Sequence, residues 1–152
     1  MTRIRPAREE DCSRIAEIIV FNNRMNYLPI FRDEAFSFGA VQVLSTVRDY
    51  LGGGQDLAGK YVYDDGIVRG FVHAQDGEIK KLYVDTFFQS RGIGAALLDF
   101  AVREQGCRWL WVLEKNTRAI AFYARHGFQP SGERTLEEGT PEYVIRLERA
   151  RG

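Results

Sequence analysis

A chain of 152 residues, 45% of them apolar and 12% aromatic, is long enough for one domain that buries about 70% of its unfolded surface. Acidic and basic side chains balance at 21 each, which excludes the basic profile of a nucleic-acid binder and any general attraction to an anionic membrane. Nowhere do apolar residues run long enough to span a bilayer, and the opening stretch MTRIRPAREEDCSRI is charged from its start, so a soluble, cytoplasmic protein with no membrane partner is expected.

The first strand candidate is Thr2 to Arg5, stopped by Pro6. Glu9, Glu10 and Asp11 then place negative charge at a helix start, and Cys12, Ile15, Ala16, Ile18 and Ile19 form its apolar face. Pro29 and a dense group of aromatics interrupt the pattern. A second helix is expected from the spacing of Phe36, Ala40, Leu44, Val47 and Leu51, ending at the Gly52 to Gly54 run. From Lys60 the period changes to two, and the pairs Asp65-Gly66 and Asp76-Gly77 predict consecutive antiparallel hairpins, hence a three-strand meander. A helix follows from Gly92 to Gly106, striped by Leu97, Leu98, Ala101 and Val102; then a buried strand, RWLWVL, a short helix from Asn116 to His126, and a closing strand pair. The predicted order is β-α-α-β-β-β-α-β-α-β-β: an α/β (α+β) fold, a mixed sheet of about seven strands with about four helices on its faces. One parallel connection is expected, from Glu78–Val84 through the helix to Trp109–Leu113, and it should be right-handed.

Cys12 and Cys107 form no CxxC pair, and His73 and His126 complete no ligand set. Two inert, half-buried thiols and no metal site are expected.

The chemistry concentrates at FFQSRGIGAALL. Backbone N–H groups in the first turn of a helix are unpaired and carry partial positive charge, so an anion is stabilised there. Gly92 and Gly94 let the backbone approach a phosphate closely, and Arg91 adds a cation. The segment lacks the GxxxxGK[ST] of a P-loop. A dinucleotide-binding loop is the serious rival, with Glu114 twenty residues after Gly94. Against it stand Leu97, too large for the third glycine's place, seven residues between Val84 and Gly92, and an upstream meander in place of a βαβ half.

The pattern Q-x-x-G-x-G/A, here Gln89-Ser90-Arg91-Gly92-Ile93-Gly94, resembles that of the GNAT superfamily, the Gcn5-related N-acetyltransferases. Leu82 to Val84, Asp85, and NTRAIAFYARHGF from Asn116 to Phe128 stand at that family's spacings. The resemblance covers essentially the whole chain and weakens only between Asn22 and Gly59. It implies acetyl-CoA as cofactor and CoA as product, with Gln89 to Ala95 around the pyrophosphate. Leu82, Tyr83 and Val84 would offer backbone to the pantetheine and acyl carbonyl. Asn116 would touch the cofactor as well as cap its helix. Arg118 and Arg125 are either further phosphate contacts or solvated helix arginines.

The implied reaction is transfer of an acetyl group to a primary amine, by direct attack in a ternary complex, for no Ser-His or Cys-His arrangement suggests an acyl-enzyme. Tyr123 matches the family's tyrosine near the cofactor sulfur, where a phenol can protonate a departing thiolate. Glu78, eleven residues ahead of Gln89, matches the position of a general base, directly or through water. His73 either shares that role or is structural. Tyr27, Phe31 and their aromatic neighbours either shape the acceptor pocket or cover the sheet. The acceptor itself, a small molecule or a protein, carries no sequence signature. A non-catalytic acyl-CoA-binding module and an NAD(P)-dependent oxidoreductase are the alternatives. A homodimer through the strand EYVIRLE, Glu142 to Glu148, is a further expectation.

Overall fold

The computed structural model describes residues 3–150, so Thr2, the start of the first predicted strand, lies outside the described residues. Among the described residues seven strands form one sheet in the order β1-β2-β3-β4-β5-β7-β6. They are β1 (Ile4–Pro6), β2 (Lys60–Asp64), β3 (Val68–Gln75), β4 (Glu78–Val84), β5 (Trp109–Leu113), β6 (Phe128–Leu136) and β7 (Tyr143–Arg149).

The meander is β2-β3-β4, antiparallel throughout. Its second turn places Asp76 and Gly77 both in the left-handed region, at φ 52° and 82°, the twist that a two-residue hairpin between right-twisted strands requires. One pair in the sheet is parallel, β4 with β5, and it is registered only at Glu78↔Trp109. Beyond that point the two strands diverge. A single parallel pair in a largely antiparallel sheet is not the doubly wound arrangement a dinucleotide loop needs.

Helix α1 (Cys12–Asn26) and helix α3 (Val43–Asp49) cover one face of the sheet, where Ile15, Ile19, Leu51, Val62 and Phe71 pack together. Helices α4 (Ile93–Arg103) and α5 (Thr117–Arg125) cover the other, over Val72, Ile79, Leu110, Phe128 and Leu147. The β3 glycine, Gly70, lets α4 settle this closely: a Cβ there would stand 2.7 Å from Leu97 Cδ1 and 3.1 Å from Ile93 Cγ2.

Three expectations need correction. The second helix is not continuous from Phe36. A short helix α2 (Leu28–Phe31) ends at Arg32 in the left-handed conformation, a π-helical turn spans Ala35–Ala40, and Val41 and Gln42 are extended before α3 begins. The three- and four-residue spacing overstated the helix because its members do not share one buried face: Val47 and Leu51 pack in the core beneath α1, whereas Phe36 and Leu44 are exposed. Second, β7 lies between β5 and β6, so the strand expected to offer a dimer edge has both sides occupied. The sheet edges are β1 and β6. Third, both cysteines are fully buried rather than half-buried.

Candidate functional site

The divergence of β4 from β5 opens a cleft of about 1000 Å³ through the centre of the molecule. Strand backbone groups alternate between the two neighbouring strands, so those of β4 that point toward β5 lose their partner beyond Glu78. Leu82, Tyr83 and Val84 line the cleft along this free edge. The Val84 carbonyl is held by Asn22 Nδ2 at 2.9 Å, which ties α1 to the end of the strand.

At one end of the cleft, the chain turns from β4 into α4. The buried Asp85 accepts the Phe87 N–H at 2.8 Å and pairs with Arg14 at 2.7 Å, fixing the start of the turn. Ser90 and Gly92 both adopt left-handed backbone, φ 66° and 81°, a conformation that costs a side-chain-bearing residue about 1–2 kcal/mol. The first bond of the helix runs from the Ala96 N–H to the Gly92 carbonyl at 3.0 Å. The N–H groups of Gly92, Ile93, Gly94 and Ala95 therefore precede the intrahelical ladder, at the positive end of the dipole. Gln89, Ser90, Gly92, Ile93, Gly94 and Ala95 all line the cleft. Arg91 does not: its guanidinium lies over the Phe88 ring, 5.4 Å from the centroid. The cations that do line this wall are Arg118 and Arg125 of α5.

Asn116 caps α5, its side chain accepting the Ala119 N–H at 3.3 Å, and lines the cleft as well. Two turns on, Tyr123 is 8% exposed, packed edge-on against Phe122 and Phe128, and forms part of the cleft wall. Burial pushes its phenol well above the ordinary value.

The other end of the cleft is built from α1, the segment after it, and the β6–β7 loop. Tyr27 and Phe31 line it, and the hydroxyls of Tyr27 and Tyr83 meet at 3.0 Å. Burial raises both phenols, so the pair stays protonated. Asn22, Asn23, Lys81 and Glu137 line the same space. Sequence reasoning missed these four. The asparagines had a signal, because Asn22 and Asn23 continue the helical stripe of Ile15, Ile18 and Ile19 with polar groups.

Two expected site residues stand elsewhere. Glu78 sits where β4 still pairs with β5, outside the cleft lining, and its carboxylate is ion-paired with Lys80 at 2.7 Å. His73, on β3, faces a smaller cavity with Lys60, and its Nδ1 is hydrogen-bonded to the Tyr50 hydroxyl. Desolvation, reinforced by the nearby Lys60 ammonium, pushes its imidazole down to about 4. It is neutral, but it does not border the main cleft.

Comparison with known proteins agrees with this geometry. The model of the GNAT acetyltransferase domain matches residues 56–130. An uncharacterized N-acetyltransferase of Methanocaldococcus jannaschii is 44% identical over 75 residues, 46% of this chain and 32% of that protein. The chain thus spans about a third of the length of that curated relative. Among solved structures, a GCN5-related N-acetyltransferase of Rhodopseudomonas palustris superposes with a TM-score of 0.72 at 21% identity, over 99% of this chain and 97% of that one. The PaiA N-acetyltransferase of Thermoplasma acidophilum, in complex with coenzyme A, gives a TM-score of 0.66 at 18% identity, over 95% and 97%.

Proposed function

Because the chain belongs to the GNAT superfamily of acetyltransferases, we propose that it moves the acetyl group of acetyl-CoA to a primary amine, by direct attack, with CoA as the second product. The observation that carries this is the cleft itself: a free strand edge leads from an unpaired helix N-terminus to a buried tyrosine. The residues fit the cofactor. Unpaired N–H groups from Gly92 to Ala95, with Arg118 and Arg125 nearby, suit a pyrophosphate. The free edge at Leu82 to Val84 suits the amides of a pantetheine, and the volume suits a ligand of that length.

Bound acetyl-CoA supplies an activated acetyl carbon. The free backbone of β4 stabilises the charge that develops on the acetyl oxygen. An amine near pKa 10 is almost wholly protonated at neutral pH, so a proton must leave before attack. Glu137 is the carboxylate we assign to that step, because it lines the cleft and its field reaches Tyr27. Glu78 is tied to Lys80 where the strands still pair, and His73 opens elsewhere, so neither is retained as the base.

As the C–N bond forms and the C–S bond breaks, the nitrogen loses its second proton and the sulfur gains one. Tyr123 keeps its own proton at neutral pH and donates a hydrogen bond to the departing sulfur. Outright transfer from a phenol raised so far costs about 1.4 kcal/mol per unit of mismatch with a thiol. The phenol therefore relays: it gives its proton as it takes one from the nitrogen side, and ends unchanged.

Thermal unfolding with acetyl-CoA, CoA, NAD and NADP at equal concentration tests the cofactor. A ligand at 100 times its Kd adds about 2.7 kcal/mol, which moves Tm by about 5–10 °C for a chain of this size. Both CoA species should give the shift. A shift with NAD or NADP alone would overturn the proposal.

A further inference from the structure

The chain has four lysines, and three are partnered. Lys60 donates to the carbonyls of Asp56 and Tyr50 at 2.7 and 3.2 Å. Lys80 pairs with Glu78 at 2.7 Å and Lys115 with Glu142 at 3.0 Å. Lys81 differs. Among the described residues no carboxylate stands within ion-pair distance of its ammonium and no carbonyl accepts from it. Its ammonium lies over the Tyr50 ring, 5.2 Å from Nζ to the centroid. The side chain is half-buried, opposite His73 in the sheet register, and it lines the acceptor end of the cleft.

A desolvated ammonium without a counter-charge is costly, and burial duly lowers its pKa, with Glu137 the carboxylate whose field opposes that. A second unmet group lies in the same cleft. Asn23 Oδ1 is buried and has no hydrogen-bond partner among the described residues, although Asn23 is a cleft residue. One wall thus lacks an anion and another lacks a donor. A ligand that carries a carboxylate and an ammonium supplies both.

Building on the acetyl transfer proposed above, we propose that the acceptor is an amine that also carries a carboxylate, as a free amino acid does. Lys81 binds the carboxylate, and Asn23 Oδ1 with Glu137 receives the amine. One unpaired ammonium matches a monoanionic carboxylate better than a phosphate dianion, which recruits forked or multiple donors. Tyr27 and Phe31, which line the same cleft, favour an apolar or aromatic remainder.

The test is a binding measurement that needs no turnover. CoA-loaded protein is titrated calorimetrically with 3-phenylpropionate and with the neutral 3-phenylpropan-1-ol, using wild type, Lys81→Met and Lys81→Arg. The carboxylate should bind at least about tenfold more tightly than the alcohol, a difference of about 1.4 kcal/mol. Lys81→Met should erase that preference, and Lys81→Arg should keep most of it. Equal binding of the two, no binding of the carboxylate, or a preference that survives in Lys81→Met would overturn the proposal. So would mass-spectrometric recovery of an acetyl group on Lys81 after incubation with acetyl-CoA, since an acetylated lysine carries no charge. If Lys81→Met does not fold, the wild-type comparison decides alone. Should CoA fail to bind, the cofactor reading fails separately, and the same titration of the free protein still tests Lys81.

Discussion

His73 makes stability depend on pH in a direction and amount that can be worked from the structure. The side chain is 8% exposed, its Nδ1 is engaged by Tyr50, and burial together with Lys60 pushes its pKa down from 6.5 to about 4. The folded state therefore disfavours the imidazolium, while the unfolded chain accepts a proton freely below pH 6.5. The associated stability is fully present above that value and drains away as pH falls toward 4. At pH 5 the linkage relation gives a loss of about 2 kcal/mol relative to neutral pH, an order-of-magnitude figure. For a chain of this length that lowers Tm by about 4–8 °C. Thermal denaturation at pH 7.5 and 5 should reveal this drop in the wild type. His73→Gln keeps a hydrogen-bonding group for Tyr50 but cannot titrate, so its Tm should change much less over the same interval. Equal losses in wild type and variant would refute the argument, because the acid sensitivity would then reside in other groups.

Other substitutions separate the roles assigned along the cleft. Tyr123→Phe should leave the CoA-induced thermal shift intact and lower kcat by about a hundredfold, the lower range for a positioned proton donor, measured as thiol release. Glu137→Gln should reduce kcat/KM by about tenfold or more, with the loss shrinking as pH rises and the free amine accumulates. Glu78→Gln should change it by less than about threefold; a reversed order in these two would return the base to Glu78. Gly70→Ala places a Cβ 2.7 Å from Leu97 Cδ1 and 3.1 Å from Ile93 Cγ2. It should lower stability by about 1–3 kcal/mol as α4 is displaced, and weaken CoA binding because the phosphate turn rides on that helix, both readable from Tm with and without CoA.

Much of this architecture was legible in the sequence because it depends on local chemistry. Asp76-Gly77 fixes a hairpin through the backbone angles those residues tolerate, and the stripe through Leu97, Leu98 and Ala101 fixes the buried face of α4. The glycine turn and Asn116 were legible for the same reason: each acts on backbone groups within a few residues of itself. What was hidden depends on contacts distant in sequence. Nothing in EYVIRLE tells that it inserts between β5 and β6, since strand alternation is the same at an edge and inside a sheet. Glu78 and Lys81 lie three residues apart on β4, yet one ends at the closed vertex of the two diverging strands and the other opens into the cleft. A lysine in a strand ordinarily belongs to the solvated face, so Lys81 became visible only once Tyr50, from the distant end of α3, was seen to cover it.

Catalytic acetyl transfer to an amine is read most directly as product formation. Purified protein is incubated with acetyl-CoA and a panel of free amino acids, their methyl esters and the corresponding decarboxylated amines. Free thiol is followed in solution and the N-acetyl product by mass spectrometry. Amine-dependent thiol release matched mole for mole by N-acetylated product is the predicted result. Tight acetyl-CoA binding with no thiol release above the protein-free rate, for every amine in the panel, would rule out catalysis and leave a module that binds acyl-CoA without turning it over.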